Sequence, residues 1–145
     1  MDSKPTSALT VALEAVSDRW SLTIVRELAF GPRRFTDIAV STKAPRDVLV
    51  ARLRSLESNG IVQRSPYGSG KREQYALTDK GIDLAEVVLV LKKWGDRYKP
   101  ADTATVELEH LACGGRFEAR IHCSSCGEAL ERDQLREHPV AAGDR

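Results

Sequence analysis

Between residues 33 and 77 the sequence passes from two helical patterns to two strand patterns, and this order constrains the fold more than any other feature. Apolar residues of the helical patterns repeat at i, i+3 or i+4, which indicates two amphipathic helices. They are Phe35, Ile38 and Ala39 in the first pattern and Leu49, Leu53 and Leu56 in the second. Residues 41–44 form the predicted turn, and Pro45 suits the first position of the second helix. Asn59-Gly60 suits a left-handed C-cap.

Two short strands are predicted at residues 61–64 and 74–77, around a Gly-rich basic segment at residues 65–72. A hairpin in this position indicates a wing, although a plain surface hairpin would show the same pattern. The predicted fold class is therefore mainly α with a small β-wing, a winged helix-turn-helix, followed by a short C-terminal β-hairpin appendage. One helix and one hairpin that project from a single core suit a DNA major groove and the neighbouring backbone.

The outer face of the second helix predicts which side chains would contact DNA. Asp47, Val50 and Arg54 lie opposite the leucine stripe, and Arg46 lies in the first turn. Because the N-terminal half of a recognition helix reaches base edges, Arg46, Asp47 and Val50 are the candidates for base readout. An Arg can bind guanine with two hydrogen bonds, and Val50 could meet a thymine methyl. Arg52 and Arg54 are expected on phosphates or flanking bases.

The wing and the start of the first helix complete the predicted DNA-contact set. Lys71 and Arg72 would neutralise phosphates, and Tyr67 would donate to the DNA backbone or pack against the hairpin. The whole predicted set is Arg33, Arg34, Thr36, Lys43, Arg46, Asp47, Val50, Arg52, Arg54, Tyr67, Lys71 and Arg72. Helix-surface solubility is the alternative role for the arginines, and we expect it to hold for at least one of them.

The net charge of +1 conceals a segregation of charge along the chain. Residues 31–72 hold nine Lys/Arg and three Asp/Glu, a net charge of +6, whereas residues 101–145 hold five and nine, a net charge of −4. A basic segment attracts phosphate. A winged helix that contacts protein is the alternative function, but it would not need six net positive charges in this segment.

Further helices are predicted on both sides of this core. The apolar positions before it are Leu9, Leu13 and Val16 in one short helix and Trp20, Ile24 and Leu28 in a second, with Trp20 as a core anchor. Thr78-Asp79 begins a long helix after the wing. Its apolar residues cover so much of the circumference that we expect burial on two sides, in a homodimer made with the N-terminal helix. The alternative is burial in the core of its own chain.

All three cysteines follow this region, in the order His110-x2-Cys113, nine residues, Cys123-x2-Cys126. A Gly follows each pair, which suits a tight turn that directs two ligands toward one metal. Residues 116–121 between the pairs alternate polar and apolar, as a strand does, so a hairpin is expected to join the two turns. Three thiolates and one imidazole are a standard tetrahedral zinc set with no open position, so a structural zinc ribbon is predicted. His122 is the alternative imidazole, although it lies directly beside Cys123.

Other roles for these cysteines remain open at this point. C-x-x-C is also a redox spacing, so a disulfide with Cys123, Cys126 or Cys113 would make the chain a thiol-based redox sensor. The cysteines could also be reduced and idle, or the metal could be a regulatory signal. The predicted division of the chain is residues 1–100 for DNA binding and dimerisation, 101–131 for the zinc-ribbon-like segment, and 132–145 for a flexible tail.

Several classes of function are disfavoured by the sequence. No apolar run approaches the roughly 18 residues that span a bilayer, and the first ten residues lack the apolar stretch of a signal peptide, so we expect a cytoplasmic protein with no membrane partner. The sequence holds no Ser/His/Asp grouping, P-loop or dinucleotide fingerprint, so an enzyme is disfavoured.

The combined motifs resemble the HxlR-type winged-helix regulators of bacteria, from about Leu9 to Trp94. The matching stretches are residues 18–20, 26–28, 31–35, 53–64 and 75–81. The resemblance implies a homodimeric transcription factor, with N- and C-terminal helices in the dimer, that controls a nearby gene in response to a metabolite or a reactive electrophile. It also implies a Cys-Pro pair before the first helix. This chain has Ser7-Ala8 there, so a thiol switch at that place is excluded.

Overall fold

The computed structural model describes residues 7–16 and 18–136. The chain divides into two units, one that ends at Tyr98 and one that begins at Lys99, whereas the sequence predicts a boundary after residue 100. The first unit ends earlier because its last helix ends at Tyr98. The predicted flexible tail lies outside the described residues from position 137 onward, and its described part holds a 3-10 turn at Arg132–Gln134.

The first unit contains helices and one two-stranded antiparallel sheet. In chain order its elements are α1 Ala8–Ala15, α2 Arg19–Leu28, α3 Phe35–Thr42, α4 Arg46–Ser58, β1 Val62–Tyr67, β2 Arg72–Leu77 and α5 Asp79–Tyr98. This order confirms the predicted fold class, mainly α with a small β-wing.

The core forms where α2, α3 and α4 meet the base of the wing and the first half of α5. Its buried residues include Ile24, Val25, Leu28, Ile38, Leu49, Leu53, Leu56, Ile61, Val62, Tyr75, Ala85 and Val88. The predicted leucine stripe of α4 is fully inside this core. Trp20 is only half-buried, with the Arg19 guanidinium 4.1 Å from its ring centroid, so the prediction of a core anchor is wrong. Trp20 lies in the first turn of α2, and the first core residue of this helix is Ile24, one turn later.

The turn between α3 and α4 is tighter than the sequence predicts. Ser41 and Thr42 extend α3 because their hydroxyls donate to the carbonyls of Asp37 and Ile38, respectively. Lys43 then adopts a left-handed conformation with φ of 55°. Helix α4 begins at Arg46, so Pro45 is its N-cap residue and not, as predicted, its first helical residue.

Helix α4 ends in the predicted Asn-Gly cap, at the corner that leads into the wing. Gly60, with φ of 68°, donates to the carbonyl of Glu57, and Ile61 donates to that of Leu56, which is a Schellman motif. Thr78 ties the start of α5 to this corner because its hydroxyl donates to the Gly60 carbonyl over 2.6 Å. The corner therefore fixes where the wing leaves the core.

The wing has longer strands and a shorter tip than predicted. The strands pair from Val62↔Leu77 to Tyr67↔Arg72, so only residues 68–71 form the tip. Pro66 is compatible with this because it lies in a two-stranded sheet, where every strand is an edge. Gly68 and Gly70 supply the positive φ angles, 65° and 83°, that the tip requires.

The second unit contains two small turns, but the hairpin expected to join them is absent from its described residues. Each turn is closed by a single antiparallel bridge, Glu109↔Arg116 in the first and His122↔Ala129 in the second. The alternation in residues 116–121 therefore does not build a strand, because each half of this segment pairs within its own turn.

No helix in the described part of the chain is long and apolar enough to cross a membrane.

Candidate nucleic-acid interface

The first turn of α4 is exposed because the opposite face of the helix is locked into the core. Leu49 and Leu53 are 0% and 1% exposed, so residues half a turn away must point outward. Arg46, Asp47 and Arg54 are exposed, and Val50 is half-buried. This is the arrangement that a recognition helix needs, with side chains of its N-terminal half free to reach base edges.

Arg46 has an aromatic neighbour at the start of α3. Its guanidinium lies 5.1 Å from the centroid of the Phe35 ring, within the range of a cation–π contact. Because Phe35 is half-buried, this contact positions the cation at the junction of α3 and α4. The guanidinium edge, which carries the donors, stays available to a DNA base.

The wing presents its cations at and beside the tip. Lys71 and Arg72 are exposed, and Tyr67, opposite Arg72 in the ladder, is 43% exposed. The guanidinium of Arg34, at the start of α3, lies 5.6 Å from the Tyr67 ring centroid. Tyr67 thus lies beside Arg34 at the start of α3, a contact that the sequence does not predict.

Four arginines of the basic segment are engaged by the protein itself. Arg33 donates to the Glu27 carbonyl over 2.9 Å while its backbone pairs with Tyr75. Arg34 bonds Asp37 over 3.0 Å, and this hydrogen bond lowers the pKa of Asp37.

Arg64 and Arg52 are the other two. Arg64 joins α4 to both strands through Glu57, at 2.8 Å, and Glu73, at 3.2 Å. Arg52 Nε lies 3.2 Å from Asp18 Oδ2, but this buried N–H has no aligned acceptor among the described residues. The Arg52 contact is therefore a charge pair and not a directed hydrogen bond.

Asp18 explains why Arg52 is held there. Asp18 caps α2, since its Oδ1 accepts from the backbone N–H groups of Trp20 and Ser21. The same carboxylate therefore caps one helix and pairs with a cation of another. The sequence predicts a DNA contact for Arg52 because nothing in a spacing of 34 residues shows that Asp18 is its neighbour.

The other cations of the predicted DNA-contact set are exposed, and none has an ion pair with a described residue. These cations are Lys43, Arg46, Arg54, Lys71 and Arg72. Thr36 is exposed on α3, so its hydroxyl is also accessible. We call the five cations the open basic set. They are the groups that can exchange water for phosphate or base without breaking an ion pair.

The predicted metal ligands come together in two pairs. His110 Nδ1 lies 3.2 Å from Cys113 Sγ, and hydrogen bonds from the backbone of Cys126 and Ser125 lower the pKa of Cys123. The three cysteines are free thiols. Within residues 7–16 and 18–136 no three His, Cys, Asp or Glu side chains share metal-binding distance, so the two pairs do not meet.

A buried-core helix-turn-helix with an outward first turn and a basic wing defines a winged-helix DNA-binding protein. Comparison with known proteins supports this class and narrows it. Residues 15–103 match the HxlR-like helix-turn-helix family, which is more than half of the chain. The chain belongs to this family.

Relatives in sequence are named as regulators. The helix-turn-helix-type transcriptional regulator Mb3122 of Mycobacterium bovis is 40% identical over 130 residues, covering 88% of this chain and 82% of that protein. The transcriptional regulator YodB of Bacillus subtilis is 32% identical over 99 residues, covering 66% of this chain and 88% of that protein. The chain is accordingly a DNA-binding transcriptional regulator and not an enzyme.

Solved structures fall into a longer and a shorter match. PA1607, a candidate transcription factor, has a TM-score of 0.82 and 27% identity over 94% of this chain and 97% of its own. Reduced YodB has a TM-score of 0.56 and 28% identity over 67% of this chain and 98% of its own. A match over 94% of the chain must extend into the second unit, so PA1607 resembles this chain beyond the winged helix.

Proposed function

We propose that this regulator binds a pseudo-palindromic operator as a homodimer, with the first turn of α4 in the major groove and the wing on the flanking backbone. The observation that carries the proposal is the open basic set, which is exposed on these two projecting elements. Arg46, Asp47 and Val50 read bases, and Thr36, Lys43, Arg54, Lys71 and Arg72 bind the backbone or flanking bases. Such a protein acts at the chromosome, in the cytoplasm.

Arg33, Arg34 and Arg52 have a different place in this proposal. Each already contacts a carbonyl or a carboxylate of the protein, so a DNA contact would be added to that contact or replace it. Arg34 pairs with Asp37 at the start of its own helix, α3. Arg33 joins the start of α3 to α2, and Arg52 joins α4 to the start of α2, beneath the DNA-facing surface. Arg64, which the sequence did not single out, does the same for the wing.

An exposed apolar stripe on α5 supports the homodimer. Val87, Leu91, Trp94 and Tyr98 follow one another at intervals of four, three and four residues, and they are 60%, 49%, 62% and 61% exposed. This spacing places them on one side of the helix, as in a helix-pairing seam. We call these residues the α5 stripe.

Helix α1 supplies a second apolar surface. None of its residues is buried, although Leu9, Val11 and Leu13 are large and apolar. Only its C-terminal end, at Ala15 and the cap residue Val16, packs against the core, and a short helix with so few contacts has little to stabilise it in water. We propose that α1 and the α5 stripe of one protomer pack against the same elements of a second copy.

Selection from a random duplex library tests the operator directly. The full-length chain is expected to enrich an inverted repeat whose half-sites lie about 10 base pairs apart, because a two-fold dimer presents its recognition helices one turn of DNA apart. Enrichment of a single unrepeated motif would contradict the dimeric mode. A failure to enrich any sequence would favour the alternative, a winged helix that contacts protein.

We also propose that a metabolite or a reactive species controls DNA binding. Among similar structures, YodB is described as quinone-bound and HypR as a redox regulator in reduced and oxidised forms. In this chain Ser7 occupies the N-cap of α1 and accepts a hydrogen bond from the Thr10 N–H. A thiol-based response would have to use Cys113, Cys123 or Cys126, which are all the cysteines in the sequence.

A further inference from the structure

The two turns of the second unit are structural copies of each other, displaced by thirteen residues. His110 N–H donates to the Gly115 carbonyl over 2.8 Å, and Cys123 N–H donates to the Glu128 carbonyl over 2.9 Å. The next bonds match as well, from Gly114 to the His110 carbonyl and from Gly127 to the Cys123 carbonyl. Both glycines have a left-handed backbone, with φ of 67° and 76°.

The correspondence continues outside the turns. The bridge Glu109↔Arg116 matches His122↔Ala129 at the same displacement. Beyond it, Phe117 donates to the Leu108 carbonyl and Leu130 donates to the Ile121 carbonyl. Each turn therefore stands on a pair of apolar residues in the same position.

This equivalence places four ligand-type side chains at matching positions. His110 and Cys123 are the first residues of their turns, and Cys113 and Cys126 are the fourth. In the first turn the two donor atoms, His110 Nδ1 and Cys113 Sγ, are already 3.2 Å apart. In the second turn the matching backbone hydrogen bonds place Cys123 and Cys126 at the same two positions.

The same equivalence separates the two candidate imidazoles. His122 matches Glu109, the residue before the turn, and not a ligand position. Its Nδ1 lies 3.0 Å from the Gly127 carbonyl, so its ring is engaged by its own turn. The ligand set then contains His110 and excludes His122.

The second unit also lacks the core that would hold the two turns together. None of residues 99–131 and 133–136 is buried, and Leu111, Ile121 and Phe117 are 96%, 59% and 41% exposed. A segment of this size with no buried apolar residue needs another source of stability, for which a disulfide or a metal is usual. Its thiols are free and so available as metal ligands.

We propose that His110, Cys113, Cys123 and Cys126 bind one Zn²⁺ that joins the two turns. Three thiolates and one imidazole complete a tetrahedral shell, which leaves no position for a substrate, so the metal is structural. Binding deprotonates the three thiols, and their protons pass to solvent. Because the described residues contain no assembled group of three ligands, metal binding must bring the turns together and order the unit.

Metal analysis of the full-length chain, purified under reducing conditions, tests the site. We expect about one zinc per chain in the unmodified protein and in His122→Ala, which is the matched control. Cys126→Ser and His110→Ala are expected to lose most of the zinc. Less than about a tenth of a zinc in the unmodified protein, with all three thiols reacting freely, would overturn the proposal. Retention of zinc in His110→Ala with loss in His122→Ala would overturn the ligand set.

Cobalt(II) provides a readout that does not depend on the folding of a variant. Added to the metal-free, unmodified chain, Co²⁺ is expected to give the intense d–d bands of a tetrahedral site and a thiolate-to-metal charge-transfer band, both bleached by Zn²⁺. A weak, octahedral spectrum would contradict the proposal. Formation of a Cys123–Cys126 disulfide in place of metal binding would do so too, and would turn the cysteines into redox-switch candidates.

Discussion

Arg46 and Arg52 lie six residues apart on α4, and their surroundings give them different tasks. Arg52 pairs with Asp18 at 3.2 Å, whereas Arg46 has the Phe35 ring beside it and no carboxylate partner in the described part of the chain. A cation that is already paired gains less from DNA, because binding must first break the existing pair. The same distinction separates Arg64 from Arg54.

Substitutions at Asp18 separate its two tasks. Asp18→Ala removes the cap of α2 and the partner of Arg52, so we expect a loss of about 1–2 kcal/mol in the free energy of unfolding. Asp18→Asn keeps a good capping side chain and removes only the charge, so its loss is expected to be below about 1 kcal/mol and close to that of Arg52→Ala. Urea unfolding of the three variants measures this order. Equal losses in Asp18→Ala and Asp18→Asn would show that the cap contributes little.

The sequence shows which residues are basic, but it cannot show which of them the fold uses. The sequence predicts Arg46 and Lys71 as DNA contacts because the period of α4 and the Gly-rich tip of the wing place them on the protein surface. The partners of Arg33 and Arg52, a carbonyl and a carboxylate of α2, are set by tertiary packing. Pair contacts of this kind have no local signal in a single sequence.

At the scale of secondary-structure elements, the spacing of apolar residues determines where a helix forms, whereas local hydrogen bonds determine where it ends. The leucine stripe of α4 and the Asn-Gly cap behave as the sequence predicts. The end of α3 does not, since Ser41 and Thr42 suit turns but here bond back to the helix. The wing strands are longer than the sequence predicts because Pro66 does not end a strand at the edge of a sheet.

Two glycines of α5 provide a matched test of helix packing. A Cβ at Gly81 would lie 2.2 Å from the Ile61 carbonyl oxygen, so Gly81→Ala must push α5 away from the α4–β1 corner. We expect a loss of about 1–3 kcal/mol in stability. Gly95→Ala has no described atom within 4 Å and is expected to add up to about 1 kcal/mol through helix propensity. Thermal unfolding compares them, and a shift in the same direction for both would refute this packing argument.

The wing is expected to contribute affinity without sequence preference. Lys71→Ala with Arg72→Ala should weaken binding to operator and to random DNA alike, and should reduce the slope of log K against log salt by about 1.8. The matched control is Arg116→Ala with Arg120→Ala. It removes the same charge from the second unit, where each arginine already has a glutamate partner. Fluorescence anisotropy at several salt concentrations tests this. An unchanged slope in the wing variant would remove these cations from the interface.

At the scale of the whole molecule, the winged-helix unit explains DNA binding and leaves two apolar surfaces uncovered. The sequence predicts an α5 that is apolar on more than one side, and the structure locates the excess on the α5 stripe. The sequence does not show which apolar residues of α5 face the core. Ala85 and Val88 face it, whereas the larger Leu91 and Trp94 do not. That choice depends on where α2 crosses α5.

A charge placed in the α5 stripe tests the dimer. Trp94→Glu is expected to shift the protein from dimer to monomer, because a carboxylate in an apolar seam lacks a partner. Ile82→Glu is the control, since Ile82 is 51% exposed but lies about 150° around the helix from the stripe. Light scattering after size exclusion gives the mass of each. A monomeric unmodified protein, or a dimeric Trp94→Glu, would place the interface elsewhere.

The most direct test of the central claim, that the first turn of α4 reads DNA sequence, is the affinity of Arg46→Ala for operator and for scrambled DNA of equal length. The selected inverted repeat serves as the operator. A lost base contact is expected to cost roughly tenfold to a hundredfold in affinity for the operator and little for the scrambled duplex. Equal losses on both duplexes would make Arg46 a phosphate contact and would contradict the claim.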